Sequence, residues 1–273
     1  MQQNDFIEAS PLGDKSNYLT EYAPSLLFPI PRNTPWQPEF AFRPFYGIDV
    51  WNAFEVSWLN DKGLPKMALA EFRIPADSPN IIESKSFKLY LNSFNQSNMT
   101  DAAQVQHHMT VDLSAAAGAQ VQVTLYNLGD MAMPVLPTPG TCIDEQDIQI
   151  TTYTPDASLL LADIKAYRTE ILHSNLLKSN CPVTGQPDWA TLVVEYEGPT
   201  IDRAGLLAYI VSYREHGDFH EQCVEQIFLD IKAQCKPGQL TVYARYVRRG
   251  GLDINPYRST RPLAPSNHRT QRQ

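Results

Sequence analysis

The sequence predicts an α+β fold in which two related halves share one chain. Three observations predict it: blocks of sequence recur at a nearly constant spacing, each half contains strand-like and helix-like segments in the same order, and the glycine motifs of Rossmann and P-loop folds do not occur. The chain has 273 residues, 43% of them hydrophobic, which is enough for about two domains with packed cores.

The recurrence involves three blocks that keep their order along the chain. They are 70–72 (AEF) with 194–196 (VEY), 90–94 (YLNSF) with 209–213 (YIVSY), and 105–113 with 223–231. The offsets between the paired blocks are 124, 119 and 118 residues. Three blocks in the same order indicate a duplication rather than a single chance match.

Each half begins with a predicted strand, at 67–73 in the first half and at 190–197 in the second. A turn and an apolar segment with the pattern Tyr-x-x-Ser-aromatic follow in both halves. A helix comes next, and a further strand closes the half. We therefore expect the two halves to fold into similar modules.

The helix of the second half has the clearest pattern. Its apolar residues recur every three or four positions and form one face: Phe219, Cys223, Val224, Ile227, Phe228, Ile231 and Cys235. Asp218 with Glu221 three residues later predicts a capping box, and Lys236-Pro237-Gly238 ends the helix. The alternating segment 240–248 predicts the closing strand.

The proline-rich stretch 134–141 (PVLPTPGT) predicts the boundary between the halves. We expect an N-terminal module at 1–140 and a C-terminal module at 141–273. Prolines concentrated at 24–44 predict an extended N-terminal arm that is ordered only by packing.

The end of the chain differs in charge from the rest. Residues 245–273 hold seven arginines and one acidic residue, Asp253, in a chain whose net charge is -8. Contact with an anion is one interpretation, and for Arg269 and Arg272 a solvated tail is the favoured one. The overall negative charge argues against a general nucleic-acid binder.

Membrane insertion and secretion are not indicated. The densest apolar run, 159–162, is far shorter than the roughly 20 residues of a membrane-spanning helix. The first ten residues (MQQNDFIEAS) lack the basic and apolar regions of a secretory signal, so we expect a cytoplasmic protein with reduced thiols. None of the four cysteines forms a CxxC pair, which weakens zinc and thioredoxin-like interpretations.

Cys181 is the most informative candidate for chemistry. It lies in a stretch rich in proline and glycine, 179–189 (SNCPVTGQPDW), whereas Cys223 lies on an apolar helix face. Loops that a scaffold holds in place commonly carry reactive groups. Asp188 follows seven residues later, so a thiol nucleophile with a carboxyl proton donor is one interpretation. A buried structural cysteine with a turn-forming aspartate is the other.

Two further polar clusters stand at 83–90 (ESKSFKLY) and 216–221 (HGDFHE). The first combines a carboxylate, hydroxyls and cations, and an exposed charged turn is its alternative explanation. The second lies at the predicted start of a helix, where capping alone would also explain it.

The repeat relates these two clusters to each other. The first half has Ala102-Ala103 where the second has His220-Glu221, and the second half has Asp202-Arg203-Ala204 where the first has Glu83-Ser84-Lys85. Each half thus retains one cluster and lacks the other. This is the pattern expected if an active site is assembled between repeats and two glutamates bind one ligand.

Four motifs in this order resemble those of the NADPH-dependent 7-cyano-7-deazaguanine reductases, the nitrile reductases of queuosine biosynthesis in their long, two-module form. The motifs are 83–90 (ESKSFKLY), 180–189 (NCPVTGQPDW), 216–221 (HGDFHE) and 248–256 (RRGGLDINP). The resemblance covers nearly the whole chain. It implies a duplicated tunnelling fold, with an antiparallel sheet and helices in each module. It also implies that modules assemble into a β-barrel ringed by helices, in a homodimer.

The same resemblance implies roles for individual residues. Cys181 would be the nucleophile that forms a thioimidate with the nitrile, Asp188 the proton donor, and His220 a further proton carrier. The implied contacts to the deazaguanine are Ile82, Glu83, Ser84, His220 and Glu221. The implied contacts to NADPH are Ser84, Lys85, Arg249 and Gly250, and no metal is implied.

Two other functions compete with this one. A zinc-dependent cyclohydrolase of the same fold would need clustered cysteine and histidine ligands, and His107-His108 with four scattered cysteines do not supply an obvious set. A non-catalytic purine-binding module would not need a thiol in a loop, so Cys181 counts against it.

Overall fold

The computed structural model describes residues 19–32, 44–130, 133–182 and 184–273, and within them it divides the chain into two compact units. The described residues of the first unit lie before residue 33, in 49–130 and in 248–253. The described remainder of the chain forms the second unit.

The described residues of the first unit form two α-helices and five strands. The strands are β1 (Pro29–Pro31), β2 (Tyr46–Leu59), β3 (Pro65–Pro75), β4 (Asn80–Ile82) and β5 (Gln122–Tyr126), and the helices are α1 (Ser84–Ser93) and α2 (Ala102–Ala117). The main sheet runs in the order β5-β3-β2, and β5 pairs antiparallel with β3. Its helix-facing side is aromatic: the ring of Phe87 on α1 lies 5.1 Å from that of Trp51 and 5.0 Å from that of Phe72.

The two helices of this unit begin and end at recognisable signals. The Glu83 side chain caps α1, and Asp101 caps α2 by accepting a hydrogen bond from the Gln104 amide at 2.8 Å. Gly118, at φ +69°, ends α2 in a left-handed conformation that favours glycine. One face of α2 is buried: Val105, Met109, Leu113 and Ala117.

The second unit repeats this plan with longer strands. They are β6 (Thr141–Cys142), β7 (Ala162–Asn180), β8 (Pro187–Ile201), β9 (Gln239–Tyr246) and β10 (Leu252–Ser259), and the helices are α3 (Arg203–Ser212) and α4 (His220–Cys235). The order is β10-β9-β8-β7-β6, with β6 parallel to β7 and the other pairs antiparallel. The first two residues of β10 fall in the first unit, and the first three residues of β2 fall in the second.

One edge of β7 is only briefly covered. β6 pairs with Leu172 and His173 alone, so within the described residues the stretch of β7 before Leu172 pairs with β8 only. The register of this stretch shifts between Asp163 and Tyr167, which marks a bulge or irregularity.

The positions of the helices agree with the duplication. α1 begins at Ser84 and α3 at Arg203, an offset of 119, and α2 and α4 begin at 102 and 220, an offset of 118. These are the offsets of the recurring sequence blocks. The predicted helix of the second half and the strands at 67–73, 190–197 and 240–248 match observed elements within a few residues at their ends.

Two details of local structure add to or correct the sequence predictions. The apolar segments with the Tyr-x-x-Ser-aromatic pattern, to which the sequence pattern assigned no element type, are helices α1 and α3. The N-cap of α4 is Phe219, without a side-chain cap. Asp218 accepts from the Phe219 amide at 2.8 Å, and its Oδ2 lies 3.5 Å from Nε2 of His216. The predicted capping box would place the N-cap one residue earlier, at Asp218, so the predicted cap position is wrong.

The described part of the N-terminal arm forms regular secondary structure. Pro24–Leu26 form a turn of 3₁₀-helix, and Pro29–Pro31 pair as a strand with Asn80–Ile82. Backbone hydrogen bonds therefore order these residues, contrary to the prediction that packing alone does so. The stretch 33–43 lies outside the described residues.

The solvated tail is also a wrong prediction. The Arg269 amide donates to the Pro134 carbonyl at 3.1 Å, and Arg272 Nη1 donates to the Asn175 carbonyl at 2.6 Å. Gln273 is 6% exposed, and its side-chain amide donates to the Tyr246 carbonyl and to Asn255. The basic segment is therefore held against the sheet of the second unit.

The α+β class is confirmed. Among the residues that the structure describes, no strand pairing closes a barrel. The tunnelling barrel thus stays a prediction about assembled modules. No helix in the described ranges is long and apolar enough to cross a membrane.

Candidate active site

Cys181 lies in the hairpin loop that joins β7 to β8. Its amide donates to the Gln186 carbonyl at 2.9 Å, and its carbonyl accepts from the Gly185 amide at 3.0 Å. Gly185 has φ +66°, a value that glycine adopts at little cost. These bonds fix a loop whose residues 184–187 are exposed, while Cys181 itself is 7% exposed.

Asp188 lies on the same face of the hairpin as Cys181. Its Cα pairs with Ser179 in the β7–β8 register, and directly opposed side chains of an antiparallel pair share a face. Cys181 follows two residues after Ser179, and its amide bond to the Gln186 carbonyl continues the β7–β8 pairing, so we infer that it shares this face. Asp188 is 8% exposed and Ser179 is fully buried. The hairpin thus holds a thiol and a carboxyl group on one side.

His220 comes to this group from the start of α4. Its Nε2 lies 3.5 Å from Oδ2 of Asp188. Its ring packs edge-on against Tyr246 on β9, with the ring centroids 4.0 Å apart. Glu221 follows His220 and is 3% exposed. Its charge suits the helix N-terminus, where backbone N–H groups favour anions.

A second buried thiol near this group, that of Cys223, is expected to be unreactive. Cys223 is fully buried on α4, one turn after His220. Burial raises its pKa well above the ordinary value, and the charge of Asp218 raises it further. Burial likewise raises the pKa of Tyr246. Cys223 therefore stays a protonated thiol at neutral pH, as expected of a packing residue.

The Glu83 cluster lies in the first unit. Glu83 is fully buried, and its two carboxylate oxygens each accept a hydrogen bond at 2.7 Å, one from the Lys85 amide and one from the Ser86 amide. Burial raises its pKa, while the two amides and the charges of Lys88 and Lys85 lower it. The exposed-turn alternative is therefore wrong for Glu83. Ile82, just before it, is 2% exposed at the end of β4.

A glycine turn in the same unit brings backbone close to a cation. Gly250 and Gly251 have φ +62° and +71°, and the Arg249 amide donates to the Leu252 carbonyl at 2.9 Å. A Cβ placed on Gly250 would lie 3.3 Å from Cδ of Lys88. Lys88 was not among the predicted site residues. Its spacing of three from Lys85 on one helix face is the signal that would have found it.

This arrangement fits a phosphate-bearing cofactor. Ser84 is the first residue of α1, and Lys85 and Lys88 lie in its first two turns. The turn at Arg249-Gly250 leaves no side chain at the glycine beside Lys88. Ammonium and guanidinium groups with accessible amides are the donors that phosphates prefer. Within the described residues, no group of three His, Cys, Asp or Glu side chains could hold a metal ion.

Fold and site together define a two-unit α+β protein with a cysteine, an aspartate and a histidine gathered at a hairpin and a helix start. Residues 18–125 match the family model described as nitrile reductase, 7-cyano-7-deazaguanine-reductase N-term, and residues 187–264 match that of the QueF-like proteins. The chain belongs to the QueF family of nitrile reductases, in its two-module form.

Proposed function

We propose that this protein reduces 7-cyano-7-deazaguanine to 7-aminomethyl-7-deazaguanine with two equivalents of NADPH, in the biosynthesis of queuosine for tRNA. The observation that carries the proposal is the grouping of Cys181, Asp188 and His220 in a chain that matches both QueF family models. The net reaction consumes one nitrile, two NADPH and two protons, and it yields one primary amine and two NADP⁺.

Cys181 carries the covalent chemistry. Its sulfur adds to the nitrile carbon, and Asp188 gives a proton to the nitrile nitrogen, which produces a thioimidate. NADPH, when bound, supplies a hydride in each of the two reductions. After the first reduction the carbon–sulfur bond breaks, Cys181 leaves, and an imine remains for the second reduction. The imine accepts the remaining proton and hydride to become the amine.

His220 connects the proton donor to the rest of the site. With its Nε2 3.5 Å from the Asp188 carboxylate, it can return a proton to Asp188 between the two reductions. The edge of the Tyr246 ring fixes the plane of the imidazole. We infer that this pair supplies protons in both halves of the reaction.

We propose that substrate recognition rests on two glutamates, Glu83 and Glu221. A guanine-like ring presents adjacent N–H donors that a carboxylate accepts in a bidentate manner. Each Glu83 oxygen already accepts one amide and retains a second lone pair for this purpose. Glu221, at the start of α4, is the other candidate. Ile82, Ser84 and His220 complete the proposed contacts.

NADPH would be held by Ser84, Lys85, Arg249 and Gly250, and we add Lys88 on the basis of its contact with the glycine turn. The cations match the extra 2′-phosphate of NADPH, so we expect a strong preference over NADH that salt weakens.

We further propose modules at 1–140 and 141–273, a tunnelling barrel formed by their assembly, a homodimer, and a cytoplasmic location.

Adduct formation without cofactor tests the function. Mixing the full-length protein with the nitrile alone should give a new absorbance band and a mass increase equal to the whole nitrile, since addition releases nothing. Cys181→Ala should bind the nitrile but form no adduct. Cys142→Ala, which removes the exposed thiol of β6, is the matched control and should react normally. Nitrile-dependent NADPH oxidation by Cys181→Ala would refute the assignment.

A further inference from the structure

Three arginines of the described chain are almost completely buried. Arg32 is 5% exposed, Arg245 2% and Arg258 0%. Arg32 forms an ion pair with Asp49, and Arg258 Nη2 lies 2.7 Å from Oε1 of Glu225. Arg245 has no carboxylate within ion-pair distance among the described residues. It is therefore the exception in this set, because a buried cation is normally paired with an anion.

The partners of Arg245 are neutral. Its Nε donates to Oε1 of Gln273 at 2.9 Å, and its Nη1 donates to Oδ1 of Asn267 at 3.1 Å and to the Tyr243 hydroxyl. Its guanidinium lies over the Tyr243 ring, 5.2 Å from the centroid. Within the described chain, Nη2 has no hydrogen-bond acceptor. Neutral oxygens and a ring face offset only part of the cost of burying a full positive charge.

Arg245 lines a cavity of about 300 Å³ in the second unit. Strand residues of β8, β9 and β10 form one wall, and the basic segment at 263–270 forms the other. The lining is mostly apolar, with a few polar groups such as those of Ser266, His268 and Thr270. This volume and this mixture are typical of small-molecule sites.

The other charged groups of the cavity do not neutralise Arg245. Glu195 also lines it, but its side chain is 45% exposed and lies 4.0 Å from Arg261, so water and Arg261 both weaken its effect. Burial lowers the pKa of His268, and the charge of Arg245 lowers it further. His268 is therefore neutral at pH 7. The buried charge that lines the cavity is therefore positive.

We propose that this cavity binds a small anion, a carboxylate or a phosphate, whose charge balances that of Arg245. The anion would take the role that Asp49 and Glu225 play for the other two buried arginines. The site is separate from the Cys181 group and does not depend on the proposed reductase chemistry.

Thermal unfolding and calorimetry on the full-length protein test the proposal, with acetate and inorganic phosphate as probes. Ionic strength is held constant with chloride, and no nitrile or NADPH is added. A saturable rise in Tm and a matching binding isotherm are expected with at least one probe. Whichever probe binds identifies the anion as carboxylate-like or phosphate-like.

Three variants separate a specific site from general salt effects. Arg245→Met should weaken probe binding by at least about tenfold, because it removes the charge. Arg261→Met removes the same charge from an exposed position and, because it leaves Glu195 less balanced, should weaken binding far less than Arg245→Met does. Ala264→Leu adds volume to the cavity wall from an exposed residue, so it tests the site even if Arg245→Met fails to fold. Ala264→Leu should also weaken binding.

The proposal is overturned if neither probe gives a saturable response. It is equally overturned if binding persists unchanged in Ala264→Leu, or if Arg261→Met weakens binding as much as Arg245→Met does. A crystal structure grown with the probe that shows only ordered water beside the guanidinium would assign Arg245 a purely structural role.

Discussion

In the first unit the Tyr90 hydroxyl donates to Asp112 at 2.6 Å, and in the second unit the Tyr209 hydroxyl donates to Asp230 at 2.5 Å. Both pairs join the first helix of a unit to its second helix. The serines three residues after these tyrosines also correspond, since Ser93 and Ser212 each donate to the carbonyl three residues earlier at 2.6 Å. The buried framework of the duplicated unit is thus nearly unchanged.

The units differ at the hairpin and at the start of the second helix. In the first, Asn60 closes the β2–β3 turn by accepting from the amides of Lys62 and Leu64. In the second, the corresponding loop holds Cys181. Likewise Asp101 caps α2, whereas α4 begins at His220 without a side-chain cap. Divergence at these points, where the chain is not part of the helix–helix packing, supplies the candidate chemistry.

The sharpest contrast is between two of the buried thiols of the second unit, those of Cys181 and Cys223. Cys181→Ala should lower turnover by on the order of a thousandfold or more, because the covalent route is lost, with little change in stability. Cys223→Ala should cost on the order of 1 kcal/mol in free energy of unfolding and leave adduct formation intact. Turnover assays and urea denaturation distinguish the two, and the reverse result would exchange their roles.

The shared Tyr–Asp pairs should make similar contributions in the two units, where Asp112 also accepts from Tyr22 and Asp230 from Gln226. Asp112→Asn and Asp230→Asn each weaken a charge-assisted hydrogen bond to a buried tyrosine, so each should cost about 1–3 kcal/mol of unfolding free energy. Asp61→Asn, in an exposed turn, is the control. Urea denaturation measures all three. A large cost in one unit and none in the other would show that the framework is not shared.

The contact between Tyr246 and His220 has no counterpart at Ala102, which begins α2. Tyr246→Leu removes the ring that orients the imidazole and should lower turnover about tenfold at saturating substrates, while Tyr246→Phe should stay near the native rate. Adduct formation at Cys181 should be preserved in both. If Tyr246→Phe is as slow as Tyr246→Leu, the hydroxyl rather than the ring is what matters.

The smallest effect concerns the helix caps Glu83 and Asp202. Because burial raises the pKa of Glu83 in the folded protein, its contribution to stability is full below the ordinary glutamate pKa and is lost as pH rises through the raised value. Glu83→Gln should remove this decline and cost roughly 0.5–1 kcal/mol through the weakened cap. Unfolding free energies between pH 4 and pH 8 test both effects.

Asp202→Asn is the matched control, since Asp202 caps α3 from an exposed position by accepting from the Gly205 amide. A native profile that does not fall relative to Glu83→Gln would contradict the raised pKa.

Much of this fold could be predicted because its signals are local. The spacing of apolar residues located α4, and the repeat located its partner α2. α1 and α3 were missed as helices because ten residues give less than three turns of pattern, and because α3 is apolar on most of its surface. The cap of α4 was misplaced because Asp218 has other partners nearby in space, which sequence spacing does not show.

The residues of the candidate site likewise divide into those that the local sequence indicated and those that only contacts distant in sequence reveal. Cys181 could be placed in a loop from its proline and glycine neighbours. Tyr246 and Ser179 could not be linked to it, because they join the group only through strand register and burial. Lys88 was passed over since its role depends on a turn more than 160 residues away in sequence. Long-range contacts of this kind produce no repeating pattern of residues in the sequence.

The partly covered edge of β7 has a consequence for handling the protein. Ile164 and Tyr167 on this stretch are 76% and 72% exposed, and a backbone edge beside apolar side chains invites unwanted pairing between chains. The register shift and the charges of Lys165 and Arg168 oppose such pairing. Variants that remove these charges or straighten the strand should precipitate at concentrations that the native protein tolerates, even where their folding stability is unchanged.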